Sequence, residues 1–139
     1  MDDFRLWVPV RPRFRDTDAM GHLNNAVYVT YFEVARTEYW RAMTGDANYQ
    51  RVPFILAHTT IDFRSPAFVH EMLEIGIRVA RLGTKSFAFD YRIVEQSTRR
   101  LVCEGGSVQV IFDYGKNASY PMPDALRAAA RAFEGRPDL

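Results

Sequence analysis

The residues of this chain best suited to chemistry lie in one run, Phe14-Arg15-Asp16-Thr17-Asp18-Ala19-Met20-Gly21-His22-Leu23-Asn24-Asn25-Ala26-Val27-Tyr28. Two carboxylates, an imidazole, two side-chain amides and a glycine share a single connection between a strand-like segment and a helix-like one. A helix start presents unpaired N–H groups and a partial positive charge, so polar groups crowded there are placed to act on a ligand. A carboxylate such as Asp18 can serve as general base or as nucleophile. His22 can orient water or substrate, hydrogen-bond Asp18, or simply satisfy loop backbone groups. The same residue types cap helices and turn chains, and Asp16 is assigned that duty. Asp16, Asp18 and His22 carry oxygen and nitrogen donors, but the run lacks a complete set of strong ligands and no metal site is expected.

On the N-terminal side of the run, Leu6, Val8, Val10 and Phe14 alternate with Trp7, Pro9, Arg11, Arg13 and Arg15. This is a period-2 pattern with one basic face, and Pro9 and Pro12 confine it to an edge or irregular strand. After the run, from about Asn25 to Met43, Tyr28, Tyr31, Phe32, Ala35, Tyr39 and Met43 recur at helical spacing. A helix this apolar is expected to be mostly enclosed. Asn24 or Asn25 is the expected N-cap and Gly45 the stop. Glu33, Arg36, Thr37 and Arg41 form a narrow polar side, and Glu33-x-x-Arg36 has the spacing of a helix ion pair. Asp46 to Arg51 is a polar connector.

Four alternating segments follow: Phe54 to Arg64, Leu73 to Ala80, Ser86 to Ile93, and Leu101 to Phe112. Short connections between them predict antiparallel neighbours, and Gly105-Gly106 suggests a bulge. Pro123 and Asp124 open a final helix from Ala125 to about Phe133, closed by Gly135. The order is β-α-β-β-β-β-α, an α+β arrangement with one long apolar helix against an antiparallel sheet.

The 139 residues suffice for one domain with a real core. A formal net charge of +1 makes no case for nucleic acid. One cysteine, Cys103, cannot close an internal disulfide, which fits a reducing compartment and an inert core thiol. No N-terminal apolar run reads as a signal peptide and no stretch is long enough to span a bilayer, so a cytoplasmic protein without membrane partners is expected. The 14% aromatic content suits a thick core, an apolar pocket or a buried subunit interface.

The run Asp16 to Tyr28, followed by Tyr31-Phe32-Glu33-Val34-Ala35-Arg36, resembles the hot-dog-fold acyl-CoA thioesterases, closest to the 4-hydroxybenzoyl-CoA thioesterase-like branch. Ile61-Asp62-Phe63-Arg64-Ser65-Pro66-Ala67 and Gly83-Thr84-Lys85-Ser86-Phe87 extend the match over nearly the whole chain except the last helix. The resemblance implies one hot-dog domain over 1–139, with a curved antiparallel sheet wrapped around the long helix. It also implies a homodimer or homotetramer with active sites at the subunit interface. Asp18 falls on the catalytic acid, and the backbone N–H that polarises the thioester carbonyl falls near Asn25. His22 matches a histidine of the related plant acyl-carrier thioesterases, whose further asparagine is replaced here by Met20.

The implied activity is hydrolysis of an acyl or aroyl thioester to the free acid and coenzyme A, with no cofactor beyond the coenzyme A of the substrate. A hot-dog protein that binds an acyl chain or acyl carrier without turnover, or an acyl-carrier-protein thioesterase, is the alternative. Other hot-dog branches place their acid on the long helix, which makes Glu33 and Glu38 candidates by type. Arg81 and Lys85 flank the turn before Ser86 and are the expected holders of the coenzyme A phosphates. The basic Arg11, Arg13 and Arg15 are a second candidate rim. Thr59, beside His58 on its strand, is placed at the pocket border.

Overall fold

The computed structural model describes residues 4–48 and 52–139. Its elements are β1 (Leu6–Val10), a 3-10 turn (Phe14–Asp16), α1 (Val27–Thr44), β2 (Phe54–Phe63), β3 (Leu73–Leu82), β4 (Ser86–Glu95), β5 (Leu101–Asp113), β6 (Ala118–Ser119) and α2 (Asp124–Glu134). Tyr49, Gln50 and Arg51 of the expected connector lie outside the described residues. The strands pair antiparallel in the order β1-β3-β4-β5-β2, with β6 added beside β5. Both β1 and β2 are therefore edge strands, and Pro9 sits on the first as its missing donor requires.

The helix packs its aromatic stripe on one face of this sheet. Tyr28, Tyr31, Phe32, Ala35 and Tyr39 are buried. They meet the inward positions of β3 (Leu73, Ile75, Ile77, Val79) and β4 (Phe87, Phe89, Tyr91, Ile93). Phe32 stacks on Tyr91 with centroids 4.0 Å apart and planes within 8°. Each large side chain so buried contributes about 1.5–3 kcal/mol before entropy. Gly45 ends the helix at φ 78°, its N–H returning to the Arg41 carbonyl. Cys103 is fully buried, and burial pushes its thiol up to about 12, an inert state at neutral pH. Among the described residues no helix is long and apolar enough to cross a membrane.

Four expectations need correction. β1 stops at Val10, so Arg11, Arg13 and Arg15 lie beyond the strand rather than along its face. The long helix is open on one side, with Val29 and Val34 exposed. Gly105 and Gly106 pair in unbroken register; the irregularities fall at Leu56/His58, Val79/Arg81 and Ile93/Val94. Gly105 is instead a site of close approach, because a Cβ there would lie 2.1 Å from the Thr60 carbonyl oxygen. Arg36, finally, is turned inward and makes no ion pair with Glu33 among the described residues.

Candidate active site

The run between β1 and α1 is built around Asp16. Its carboxylate is buried and accepts the Arg13 N–H (2.9 Å), the Arg13 guanidinium (3.0 Å to Nη2) and the Tyr31 hydroxyl of α1 (2.9 Å). Burial alone would raise this carboxyl, but the hydrogen bonds from Arg13 and Tyr31 outweigh it and hold the group below the usual carboxylate range. Burial, and then the hydrogen bond it donates to Asp16, raise the Tyr31 hydroxyl, which stays protonated as donor. Asp16 is thus the peg that ties the loop to the helix, in keeping with the turn duty assigned to it.

Asp18 projects from a tight turn. Its N–H donates to the His22 carbonyl (2.8 Å), Gly21 N–H donates back to the Asp18 carbonyl (3.1 Å), and Gly21 takes φ 84° to close the turn. The carboxylate Oδ1 accepts the N–H groups of Met20 (2.9 Å) and His22 (3.3 Å). Oδ2 has no protein partner among the described residues. One oxygen is held and the other is free to meet a ligand.

His22 approaches Asp18 through its backbone N–H, not through its ring. The imidazole lies edge-on to Phe68, with centroids 5.4 Å apart, and the strand-like contact of His22 with Phe68 anchors the turn. The helix start differs from expectation by one or two positions: the N-cap residue is Ala26. The Asn24 carboxamide oxygen accepts the Ala26 N–H (2.9 Å), and the Asn24 carbonyl accepts the Val27 N–H (3.0 Å). Asn25 is exposed and its N–H meets no acceptor among the described residues. A donor without a partner among the described residues, one residue before the N-cap of an 18-residue helix and seven positions along the chain from Asp18, suits polarisation of a carbonyl. Phe14 (84% exposed) and Met20 (75% exposed) give the same loop an apolar rim.

The other candidates lie elsewhere. Arg81 and Lys85 are exposed at the β3–β4 turn, where Ser86 opens β4. The Gly83 N–H donates to the Ser86 carbonyl (2.7 Å), and α2 holds the turn from outside through Arg127, which donates to the Gly83 and Thr84 carbonyls. Thr59 sits on the β2 edge with its hydroxyl on the Gly106 carbonyl (3.2 Å). The Asp18 turn leans on Ala67 and Phe68, just before Leu73 starts β3, whereas Arg81 lies near that strand's other end. At about 3.3 Å per residue, roughly 25 Å of strand separates them. Within the chain, Asp18 is not brought together with Arg81 and Lys85. Glu33 is exposed on the open side of α1, and Glu38 is paired with Arg41. Among the described residues, no three of His, Cys, Asp or Glu are grouped as a metal would need.

Sequence reasoning missed a polar line under the helix. Arg36 Nη1 donates to the Tyr91 hydroxyl (3.0 Å), which bonds Ser107 Oγ, and Gln109 Nε2 donates to the same Ser107 oxygen. The signal was present: Ser107 and Gln109 occupy inward positions of the β5 alternation that ends at Ile111.

A six-stranded antiparallel sheet carrying one long helix, with a carboxylate turn before that helix, defines a hot-dog thioesterase-like protein. The chain belongs to the thioesterase-like superfamily, which it matches over residues 12–130. It is 36% identical over 123 residues to the acyl-CoA thioester hydrolase YbgC of Escherichia coli, covering 86% of this chain and 91% of that one. It is 29% identical to the acyl-CoA thioesterase YbgC of Haemophilus influenzae over 126 residues, covering 87% and 90% of the two chains. Among solved structures, a thioesterase of Thermus thermophilus, complexed with coenzyme A and Zn, superposes with a TM-score of 0.88 at 31% identity, covering 99% of both chains.

Proposed function

We propose that this protein hydrolyses acyl-CoA thioesters and that Asp18 acts as the general base. The observation that carries this reading is the pairing of a carboxylate with one free oxygen and an unengaged helix-start N–H on the same short run. The thioester carbonyl oxygen accepts from the Asn25 N–H, which meets the negative charge that develops on that oxygen. Asp18 Oδ2 takes a proton from water as the water oxygen bonds the carbonyl carbon. Collapse of the tetrahedral species breaks the C–S bond, and the thiolate of coenzyme A leaves and is protonated. Family membership and the YbgC relatives support the reaction class. The ring of His22, held by Phe68 beside the turn, lines this site.

The reading requires a second copy of the chain. β2 offers an unpaired strand edge, which soluble proteins cover. The Arg81–Lys85 turn is too far from its own Asp18, so a second copy's turn supplies the cations for the substrate's phosphates, with Ser86 and Thr59 on its border.

The test is Asp18→Asn, followed by free-thiol detection over a panel of acyl-CoAs. Asn keeps size and turn-forming ability but removes the base, and kcat should fall by about 10²–10⁴ with little change in KM or Tm. Full activity in this variant would overturn the assignment. Asp18→Ala guards against deamidation of the introduced Asn.

A further inference from the structure

Arg36 is the anomaly of the core. The residue is 6% exposed, yet among the described residues it meets no carboxylate; its one side-chain hydrogen bond goes to the neutral Tyr91 hydroxyl. A buried guanidinium is normally matched by an acid, because leaving it unmatched is expensive. Its neighbourhood is also short of acceptors. The Trp40 Nε1 donor, one helical turn on, is buried without a partner; the Gln109 carboxamide oxygen is a buried acceptor without a donor, but no hydrogen bond joins it to Arg36. Arg36 and Trp40 share a small apolar cavity of about 20 Å³, room for little more than one water. Arg36 also forms part of the floor of a much larger groove, about 510 Å³, between the open side of α1 and the start of β2. Val52, Phe54, Ile55, Leu56 and Tyr114 supply its apolar wall. Glu33 stands on its rim but is exposed, so water screens its charge and Arg36 remains uncompensated.

The groove occupies the seam between α1 and the first residues of β2. Beyond it, toward the start of α1, Tyr28 packs on Phe63, and Trp40 packs on Phe54 beside the groove. Arg36 lies roughly 14 Å along the helix from Val27, at 1.5 Å per residue. We infer that Arg36 receives a carboxylate at the far end of the acyl group, so that the preferred substrates are CoA monothioesters of dicarboxylic acids. The acyl chain lies along the apolar wall with its thioester at the helix start. The thioester end of this inference rests on the hydrolase reading; the carboxylate end does not.

Two measurements decide it. In the first, kcat/KM is compared for decanoyl-CoA and the CoA monothioester of decanedioic acid. A charge-assisted, largely desolvated contact should favour the diacid thioester by roughly tenfold to a hundredfold. Arg36→Met should abolish that ratio, and Arg36→Lys, which keeps the charge but loses the planar fork, should keep part of it. In the second, decanoate and 1-decanol are titrated against Trp40 fluorescence in a Trp7→Phe background. Decanoate should act at about tenfold lower concentration, and the gap should close in Arg36→Met. A wild-type ratio near one in either measurement overturns the inference without reference to any variant. A ratio unchanged in folded Arg36→Met does the same. If no acyl-CoA is hydrolysed, the hydrolase reading fails, and the decanoate titration alone decides on Arg36. Sedimentation equilibrium covers the rival occupant: loss of self-association in both Arg36→Met and Glu33→Gln, with no ligand preference, would pair Arg36 with Glu33 of a second copy and reject the substrate role.

Discussion

Replacing Asp16 by Asn tests the division of labour between the two carboxylates of the run. In the structure Asp16 accepts from the Arg13 N–H, the Arg13 guanidinium and the Tyr31 hydroxyl, and it is 3% exposed. Arg13 is largely in water and regains hydration when its partner is lost. The buried Tyr31 hydroxyl does not, so the loss is dominated by the hydroxyl and the backbone donor. Hydrogen bonds to a charged group are worth about 1.5–3 kcal/mol, and Asn retains a neutral acceptor, so about 2 kcal/mol is expected. In a chain of this size that is a fall in Tm of roughly 6–10 °C. The effect depends on pH in a defined direction. The folded-state pKa is depressed, so the stabilisation is present above the unfolded value near 3.9 and is lost as pH falls through the folded value. Melts followed by circular dichroism at neutral pH and at progressively lower pH should therefore show the wild type and Asp16→Asn converging in acid. Tyr31→Phe should reproduce part of the loss and should not add fully to it. At permissive temperature kcat should stay close to wild type. Equal melting at neutral pH, a gap that does not close in acid, or a kcat loss as large as that of Asp18→Asn would refute this account.

Gly105→Ala should be severe, because its Cβ would overlap the Thr60 carbonyl oxygen and separate β2 from β5; insoluble expression or a Tm lowered by more than about 10 °C is expected, and a near-native melt would contradict the geometry. Arg81→Ala with Lys85→Ala should raise KM for an acyl-CoA more than it lowers kcat, with the effect shrinking in salt; steady-state kinetics at two ionic strengths check it. Glu134 anchors α2 by accepting from the Tyr39 hydroxyl (2.5 Å) and the Val79 N–H (2.9 Å), so Glu134→Ala leaves two buried donors unmatched. A loss of about 2–4 kcal/mol in denaturant melts is expected, with faster proteolysis at α2.

The sheet and helices were legible because each rests on a local pattern with a clear period. Leu73, Ile75, Ile77 and Val79 are all inward, and Tyr28, Phe32, Ala35 and Tyr39 all face the sheet, as alternation and helical spacing require. What failed depends on contacts made across the fold. Gly105-Gly106 looks like a bulge from one strand alone, and only the approach of Thr60 from β2 shows why Gly105 has no side chain. The two-residue β6 pairs with Phe112 and Asp113 through a short turn, too brief for any period to register. Glu33-x-x-Arg36 has ion-pair spacing on a helical wheel. The hydroxyl of Tyr91, a residue 55 positions away, draws the guanidinium inward instead.

The candidate site shows the same limit more sharply. Asp16 and Asp18 are the same residue type two positions apart in one loop, and nothing local assigns them different work. Their surroundings differ. Phe14–Asp16 forms a single 3-10 turn that buries the first carboxylate beneath Arg13 and Tyr31, where each oxygen is engaged. Gly21 then closes a second turn that holds one oxygen of Asp18 on backbone donors and leaves the other open. A carboxylate saturated with donors is a poor base, because its charged form is already stabilised. A carboxylate fixed on one side only keeps both its orientation and a reactive oxygen. The loop therefore holds one saturated carboxylate and one with an open oxygen, and the contacts of the first tie down the turn that carries the second toward the start of α1.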